Sequence, residues 1–357
     1  MDLLLVNFEM DPGSRVLAWQ YYVACALAKR CSSVTVLTER LAPCELPENV
    51  RCYVVPRAFI KAPVRWLGAK WLMNFLVIWL AATGRVDACF IHMNMEWAYR
   101  LRGVLRFFRV PILLWYAHGT VSRRLRKAHA SADRVVTSTP EGFRLPSKKL
   151  HVIGQGIPLE LFPIPADRSL LRDLVTVSRL SPRKRIDLLV RVFAILALEP
   201  DFADSRLLIV GDTVGRDDVA CKRALEALVG SLGLTGRVVF LGHVPVQKMS
   251  AVYATAAIHV NVSETGSMDK TVLESLACGC PVVTSNLAFR ALLAERFPEF
   301  FIEHTDIDII AGRIAEVFAR RMSYDPRALR SLVEGHHDLN AYVEKVLHHL
   351  TELIHRR

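Results

Sequence analysis

Two cationic side chains, one carboxylate and a glycine-bearing turn stand at the ends of apolar runs in the second half of this chain. Arg179 follows the run LVTVS, and Lys184 comes five residues later. Glu274 lies inside the helical stretch KTVLESLACG, which is introduced by SETGSMD, residues 263–269. In that introduction Thr265, Gly266 and Ser267 offer backbone N–H groups and permit close approach, and Lys270 places a positive charge in the first helical turn. Helix N-termini favour anions, so a lysine there opposes the helix dipole unless an anion lies between them. The pattern predicts a phosphate site rather than a simple helix cap. Taken singly, each residue has a plainer role: Arg179 and Lys184 as a solvated loop pair, Asp212 as a turn former, His118 as a satisfied buried histidine.

The elements that must hold these residues are legible as a repeated grammar. DLLLVNF, SVTVLT, VRCYVVP, VDACFIHM, VPILLWYAHG and ADRVVTST read as strands, with helical segments between most of them. LVTVSRL, RLLIVGD, RVVFLG, AAIHVNVS and PVVTS repeat the pattern after residue 170. Continuous apolar strands separated by helices indicate parallel sheets covered on both faces. Two Rossmann-like doubly wound domains are therefore expected, at 1–163 and 164–335, with a C-terminal amphipathic helix in 336–357 crossing the domain junction. IGQGIPLELFPIPADR is the expected linker. Open α/β sheets bind ligands beyond the carboxyl ends of their strands. The candidates fall at such ends: Arg179 after LVTVS, Gly211 and Asp212 closing LLIVGD, Gly242 and His243 closing VVFLGH, Ser263 and Glu264 closing HVNVSE. Two cations, a helix N-terminus and a carboxylate suit a nucleotide diphosphate with ribose hydroxyls nearby.

Composition narrows the class. At 357 residues the chain exceeds what one core sustains, and 52% hydrophobic residues support full burial. The opening MDLLLVNFEM reads as a buried strand rather than a signal peptide. Eight cysteines, with no CxxC pair and no nearby histidines, indicate neither a zinc site nor a disulfide framework, which points to reducing cytosol. The net charge of +11 belongs wholly to the first half: residues 1–165 hold 22 basic and 11 acidic side chains, leaving 24 of each for the remainder. Anionic membrane or an acidic substrate would suit such a half, and no nucleic-acid motif accompanies it. In residues 58–85, Lys61, Arg65 and Lys70 interleave with Phe59, Trp66 and Trp71, a combination of interfacial helices. The uncharged core from Trp71 to Thr83 is too short to span a bilayer. Peripheral contact with an anionic membrane is expected, at the inner face of the cytoplasmic membrane.

The order of these motifs resembles the retaining GT-B glycosyltransferases of the group 1, or GT4, type. VSRLSPRKRIDLLVRVF, LLIVGD, VVFLGHV and VLESLACGCPVVTS follow the family order, and YAHG, ADRVVTSTPEG and IGQGIPLELF resemble it more loosely. The resemblance implies transfer of a sugar from a nucleotide-diphosphate sugar to a glycan or lipid-linked acceptor. It assigns Arg179 and Lys184 to the diphosphate, Glu274 to the ribose, the amides around Ser267, Met268, Asp269 and Lys270 to the phosphates, and His118 to the donor sugar. Gly242, His243 and Val244 fall near the base. At the position where the family has a sugar-contacting glutamate this chain has Gly266, flanked by Glu264 and Asp269. The first loop, usually glycine-rich, keeps only Gly13, with Asp11 and Arg15 as acceptor-side candidates by position. No essential metal or other cofactor is expected. A catalytically silent nucleotide-binding partner subunit, or a GT-B epimerase, stands as the alternative.

Overall fold

The structure is a computed structural model. It describes residues 1–55, 65–167, 171–263, 266–303 and 306–356, with the backbone alone for 65–73 and 216. The chain forms two compact units, Met1–Gly156 with Leu339–Arg357, and Ile157–Asp338.

The first unit is built on a seven-stranded, wholly parallel sheet. Its strands are β1 (Asp2–Val6), β3 (Ser33–Thr38), β5 (Val50–Val54), β6 (Ala88–His92), β7 (Ile112–Trp115), β8 (Arg134–Thr137) and β9 (Leu150–Val152), in the order β5-β3-β1-β6-β7-β8-β9. Two short strands, β2 (Glu9–Met10) and β4 (Arg40–Leu41), pair beside it. β1 is central, with Leu5 between Val36 of β3 and Phe90 of β6. Both faces of the sheet are covered, which is why Leu3 to Val6 run apolar without alternation and are all buried. Helices α1 (Trp19–Ala28), α2 (Arg65–Ala82), α3 (Met95–Phe107) and α4 (Arg123–Ser131) provide the cover.

In the second unit β10 (Asp173–Val177), β11 (Leu207–Val210), β12 (Val238–Gly242), β13 (Ala256–Asn261) and β14 (Val282–Thr284) form a parallel sheet in the order β12-β11-β10-β13-β14. The connecting helices include α5 (Ile186–Leu196), α6 (Arg216–Ser231), α7 (Met249–Thr255), α8 (Lys270–Ala277) and α9 (Ile307–Ala319). The strand order reverses between β10 and β13, the switch point at which such sheets open to ligands.

The terminal helix α10 (Leu339–His355) returns the chain to the first unit and completes its core. Leu339, Tyr342, Val343, Val346, Leu350 and Leu353 are buried there, with Tyr342 edge-on to Trp19 at 6.2 Å between ring centroids. Buried Arg134 of β8 meets Nδ1 of His349 at 2.7 Å, pinning the last turns. The amphipathic stripe states only that one face must be covered, and the nearest apolar surface is that of α1 and β6. Ile157 and Phe162 are fully buried in the second unit, which begins at Ile157.

Candidate functional site

The expected residues of the second half converge at the carboxyl ends of β10, β11, β13 and β14. After β10 the chain turns through Ser178 and Arg179 into a 3-10 turn, Pro182–Lys184. Gly211, just past β11, makes this turn possible. Its φ is +130°, and a Cβ there would stand 1.9 Å from the carbonyl oxygen of Ser178. Arg179 is exposed, with no ion-pair partner among the described residues. Gly242 has a φ of +69°, and its carbonyl accepts the Gly211 N–H at 2.8 Å. His243 and Val244 follow, half-buried, with Val244 against the core.

Across the switch point, Lys184 donates to Asp269 Oδ1 at 2.8 Å, and its Nζ lies 3.4 Å from Ser263 Oγ. Asp269 Oδ2 accepts from Ser263 Oγ at 2.9 Å, Asn261 Nδ2 at 3.1 Å and Asn286 Nδ2 at 3.3 Å. Burial alone would raise the Asp269 pKa, but the Lys184 charge and these donors outweigh it and hold the carboxyl below its usual range. Asp269 is therefore an anchor. The donors on its oxygens come from β13, β14 and the β10 loop, and they fix where the ammonium points.

α8 begins at Lys270, directly after Asp269. Burial pushes the Lys270 ammonium down to about 8, against the opposing charges of Glu274 and Asp269. One turn on, Glu274 is buried, and its Oε2 lies 3.2 Å from the Tyr253 hydroxyl. Burial pushes Glu274 up to about 7, with Lys270 and Tyr253 working the other way. Gly266 has a φ of +65°, a conformation that disfavours any side chain, so the absence of a glutamate there matches the local backbone. Ser267 accepts from Asn286 Nδ2 through its carbonyl at 2.8 Å, and Met268 is buried. Glu264 and Thr265 lie outside the described residues.

The first-unit candidates are differently placed. His118 is exposed after β7 rather than buried, and its Nδ1 accepts the Thr120 N–H at 3.2 Å, so a neutral ring carries its proton on Nε2. Asp11 Oδ1 accepts the Gly13 N–H at 2.8 Å, closing an Asx turn, with Arg15 exposed just beyond. Phe59 and Lys61 lie outside the described residues, and Arg65, Trp66, Lys70 and Trp71 fall where only the helical backbone is described.

Sequence reasoning missed Asn261 and Asn286, which hold Asp269, and Tyr253, which faces Glu274. Two asparagines at strand ends carry no distinguishing signal until the sheet sets β13 beside β14. None of the eight cysteines is joined in a disulfide. Among the described residues, no cluster of His, Cys, Asp and Glu is arranged as a metal-ligand set, and no helix is long and apolar enough to cross a membrane.

Two parallel-sheet α/β units, with cations and a helix N-terminus gathered at a switch point, define the GT-B class of fold. Residues 172–320 match the family described as "Glycosyl transferases group 1". A D-inositol 3-phosphate glycosyltransferase from Geodermatophilus obscurus is 29% identical over 211 residues, 54% of this chain and 47% of that protein. The chain thus spans about half the length of the curated relatives it matches. Among solved structures, sucrose-phosphate synthase from Thermosynechococcus elongatus superposes with a TM-score of 0.78 at 20% identity, covering 99% of each chain. Anabaena HepE in complex with UDP and glucose gives 0.74 at 15% identity, covering 98% of this chain and 99% of that one. At these identities the structural likeness speaks for the fold.

Proposed function

We propose that this protein transfers a hexose from a nucleotide-diphosphate sugar to a glycan or lipid-linked acceptor, with retention of anomeric configuration and without an essential metal. The observation that carries this reading is the Lys184 ammonium held on Asp269 across the β10/β13 switch point, beside the start of α8. Asp269 and Ser263 engage two of its three N–H groups, which leaves the third for a phosphate oxygen. As the donor bond breaks, negative charge grows on the leaving diphosphate. Lys184, Arg179 and the α8 amides are preorganised to stabilise it. Glu274, once ionised, accepts the ribose hydroxyls. The acceptor's proton passes to the leaving phosphate as attack occurs on the same face, since the described site offers no free carboxylate to act as a nucleophile. A UDP-bound neighbour of the same fold supports a uridine donor as the first to try. Work at the inner face of the cytoplasmic membrane, in building cell-envelope polysaccharide, belongs to the same proposal.

Gly266, in place of the family's sugar-contacting acid, favours a second reading as a nucleotide-binding partner without turnover. The deciding experiment presents purified protein with a panel of nucleotide sugars, with and without a chelator, and follows both binding and nucleotide diphosphate release. Slow donor hydrolysis that survives chelation and is lost in Lys184→Ala is the expected result. Binding without release from any donor supports the silent partner, and absence of binding defeats both readings.

A further inference from the structure

Tyr253 of α7 is 1% exposed, and its ring is held between two others. The centroid of Phe162 lies 6.4 Å away and that of His259 5.8 Å. A phenol packed in this way keeps one freedom, the rotation of its hydroxyl proton. Two acceptors lie within reach of that proton. The Thr271 carbonyl, in the first turn of α8, is 3.1 Å from the hydroxyl oxygen, and Glu274 Oε2 is 3.2 Å from it.

A hydroxyl carries a single proton, so the charge of the carboxyl decides which acceptor it serves. When Glu274 is protonated, its own O–H donates to the Tyr253 oxygen and the tyrosine proton turns to Thr271. When Glu274 is ionised, the tyrosine proton turns to Oε2. Neither state leaves the buried hydroxyl unpaired, and the carboxyl changes charge without disturbing the packing around it.

The same contact decides which carboxyl oxygen is offered outward. Oε2 is taken by Tyr253, Oε1 meets no donor among the described residues, and the residue keeps 8% of its surface exposed. Other charged or titratable groups surround the pair: Lys270 on α8 itself, His259 on β13, and the Cys278 and Cys280 thiols just after α8. Arg330 reaches the Ala277 carbonyl at the far end of that helix. Lys270 attracts the ionised carboxyl, but an ammonium on a flexible stem acts as a point charge and does not choose between its oxygens. The fixed phenol does.

We propose that Tyr253 is the positioning residue of the nucleotide subsite: its hydroxyl holds Oε2 of the ionised Glu274 and so presents Oε1 to the ribose hydroxyls. The inference rests on the nucleotide-sugar reading of this site and adds to it the group that makes the carboxylate selective for ribose.

The test uses the full chain with Tyr253→Phe, Glu274→Gln and the double variant, each checked for folding by circular dichroism. One measurement needs no ligand. In protein labelled at glutamate Cδ, the Glu274 carboxyl, assigned by its loss in Glu274→Gln, is titrated by NMR. Removing a donor from the charged form disfavours that form, so Tyr253→Phe is expected to move the titration up by about one pH unit. The other measurement is calorimetric titration with UDP, GDP and ADP, followed by the tightest of these against its 2′,3′-dideoxy form. Wild type is expected to prefer the ribose form by about a hundredfold, from charge-assisted bonds to its hydroxyls. Tyr253→Phe is expected to cut the preference to about tenfold while the dideoxy form binds as before. In the Glu274→Gln background it is expected to add no further loss. A tyrosine with a structural role alone would weaken both nucleotides together and keep the preference. That outcome, equal binding of the two forms by wild type, or a Tyr253→Phe titration and preference like those of wild type would each overturn the proposal. Wild type that binds none of the three nucleotides removes the donor-site reading and this proposal with it, a failure distinguishable from that of Tyr253 alone.

Discussion

Lys184 and Asp269, 85 residues apart in sequence, meet at 2.8 Å across the point where the second sheet reverses its strand order. Both side chains are largely buried, at 12% and 15% exposure. The bond therefore fixes the position of a cation at the cost of a desolvated pair. This arrangement separates stability from function. Lys184→Met leaves the Asp269 charge without its cation and is expected to cost about 3 kcal/mol of stability. Adding Asp269→Asn removes that charge and is expected to restore the melting temperature. Donor turnover is expected to stay down about a hundredfold in both variants, because the cation is gone. Thermal melts and donor hydrolysis on the two single variants and the double variant check this. Stability losses that simply add would show that the pair is not coupled.

If the site binds a nucleotide diphosphate as proposed, Glu274 and Lys270 are expected to give it a narrow pH window. Glu274 is raised to about 7, so its ionised, hydrogen-bond-accepting form fails as pH falls below that value. Lys270 is lowered to about 8, so its positive charge fades above it. Nucleotide diphosphate affinity is expected to peak between the two and to fall up to about tenfold per pH unit on the acid side. The two limbs belong to the coupled pair rather than to either residue alone. Stability runs the other way for Glu274. A carboxyl with a raised folded pKa contributes stability that is full below its ordinary value of 4.5 and is lost as pH rises through about 7. Glu274→Gln is expected to abolish the acid limb of binding and this loss of stability together. Calorimetric titration across the window decides it, since an unchanged acid limb in Glu274→Gln would assign that limb to the nucleotide's own phosphate.

What could be read from the sequence follows from the range of the physics involved. β1, β6 and β7 were legible because a strand buried on both faces must be apolar throughout, and Leu3–Val6 and Ile112–Trp115 are. The positions of Arg179 just past a strand, Lys184 in the turn that follows and Glu274 one turn into α8 were legible for the same local reason. The anchoring of Lys184 was not, because it depends on β10 lying beside β13 and β13 beside β14, and no spacing encodes that adjacency. The stripe on α10 announced a buried face, but only the fold supplied Trp19 as its partner. His118 shows the opposite limit. A histidine among apolar residues is ordinarily buried, yet here the turn after β7 carries it into solvent.

His259 offers a test of how the second unit responds to acid. It lies fully buried in β13, with neither ring nitrogen hydrogen-bonded among the described residues, and its ring centroid is 5.8 Å from that of Tyr253. Burial pushes its pKa from 6.5 to about 3, with Asp269 opposing the shift and Lys184 reinforcing it. A histidine with a depressed folded pKa contributes stability that is full above 6.5 and is lost as pH falls toward 3. The loss at the acid end is on the order of 4 kcal/mol. His259→Leu keeps similar volume, removes the titration and is expected to flatten the decline. At neutral pH it is expected to gain about 1 kcal/mol, because a polar ring without bonds is replaced by an apolar one. His349 of α10 is also depressed, to about 4, so the first unit carries an acid response of its own. All six tryptophans lie in the first unit, and their fluorescence reports that unit alone. Hydrogen exchange of peptides covering β13, measured against pH in wild type and His259→Leu, isolates the second. If β13 opens at the same pH in both, the buried ring does not set the acid limit of this unit, and the charge balance around Asp269 becomes the place to look.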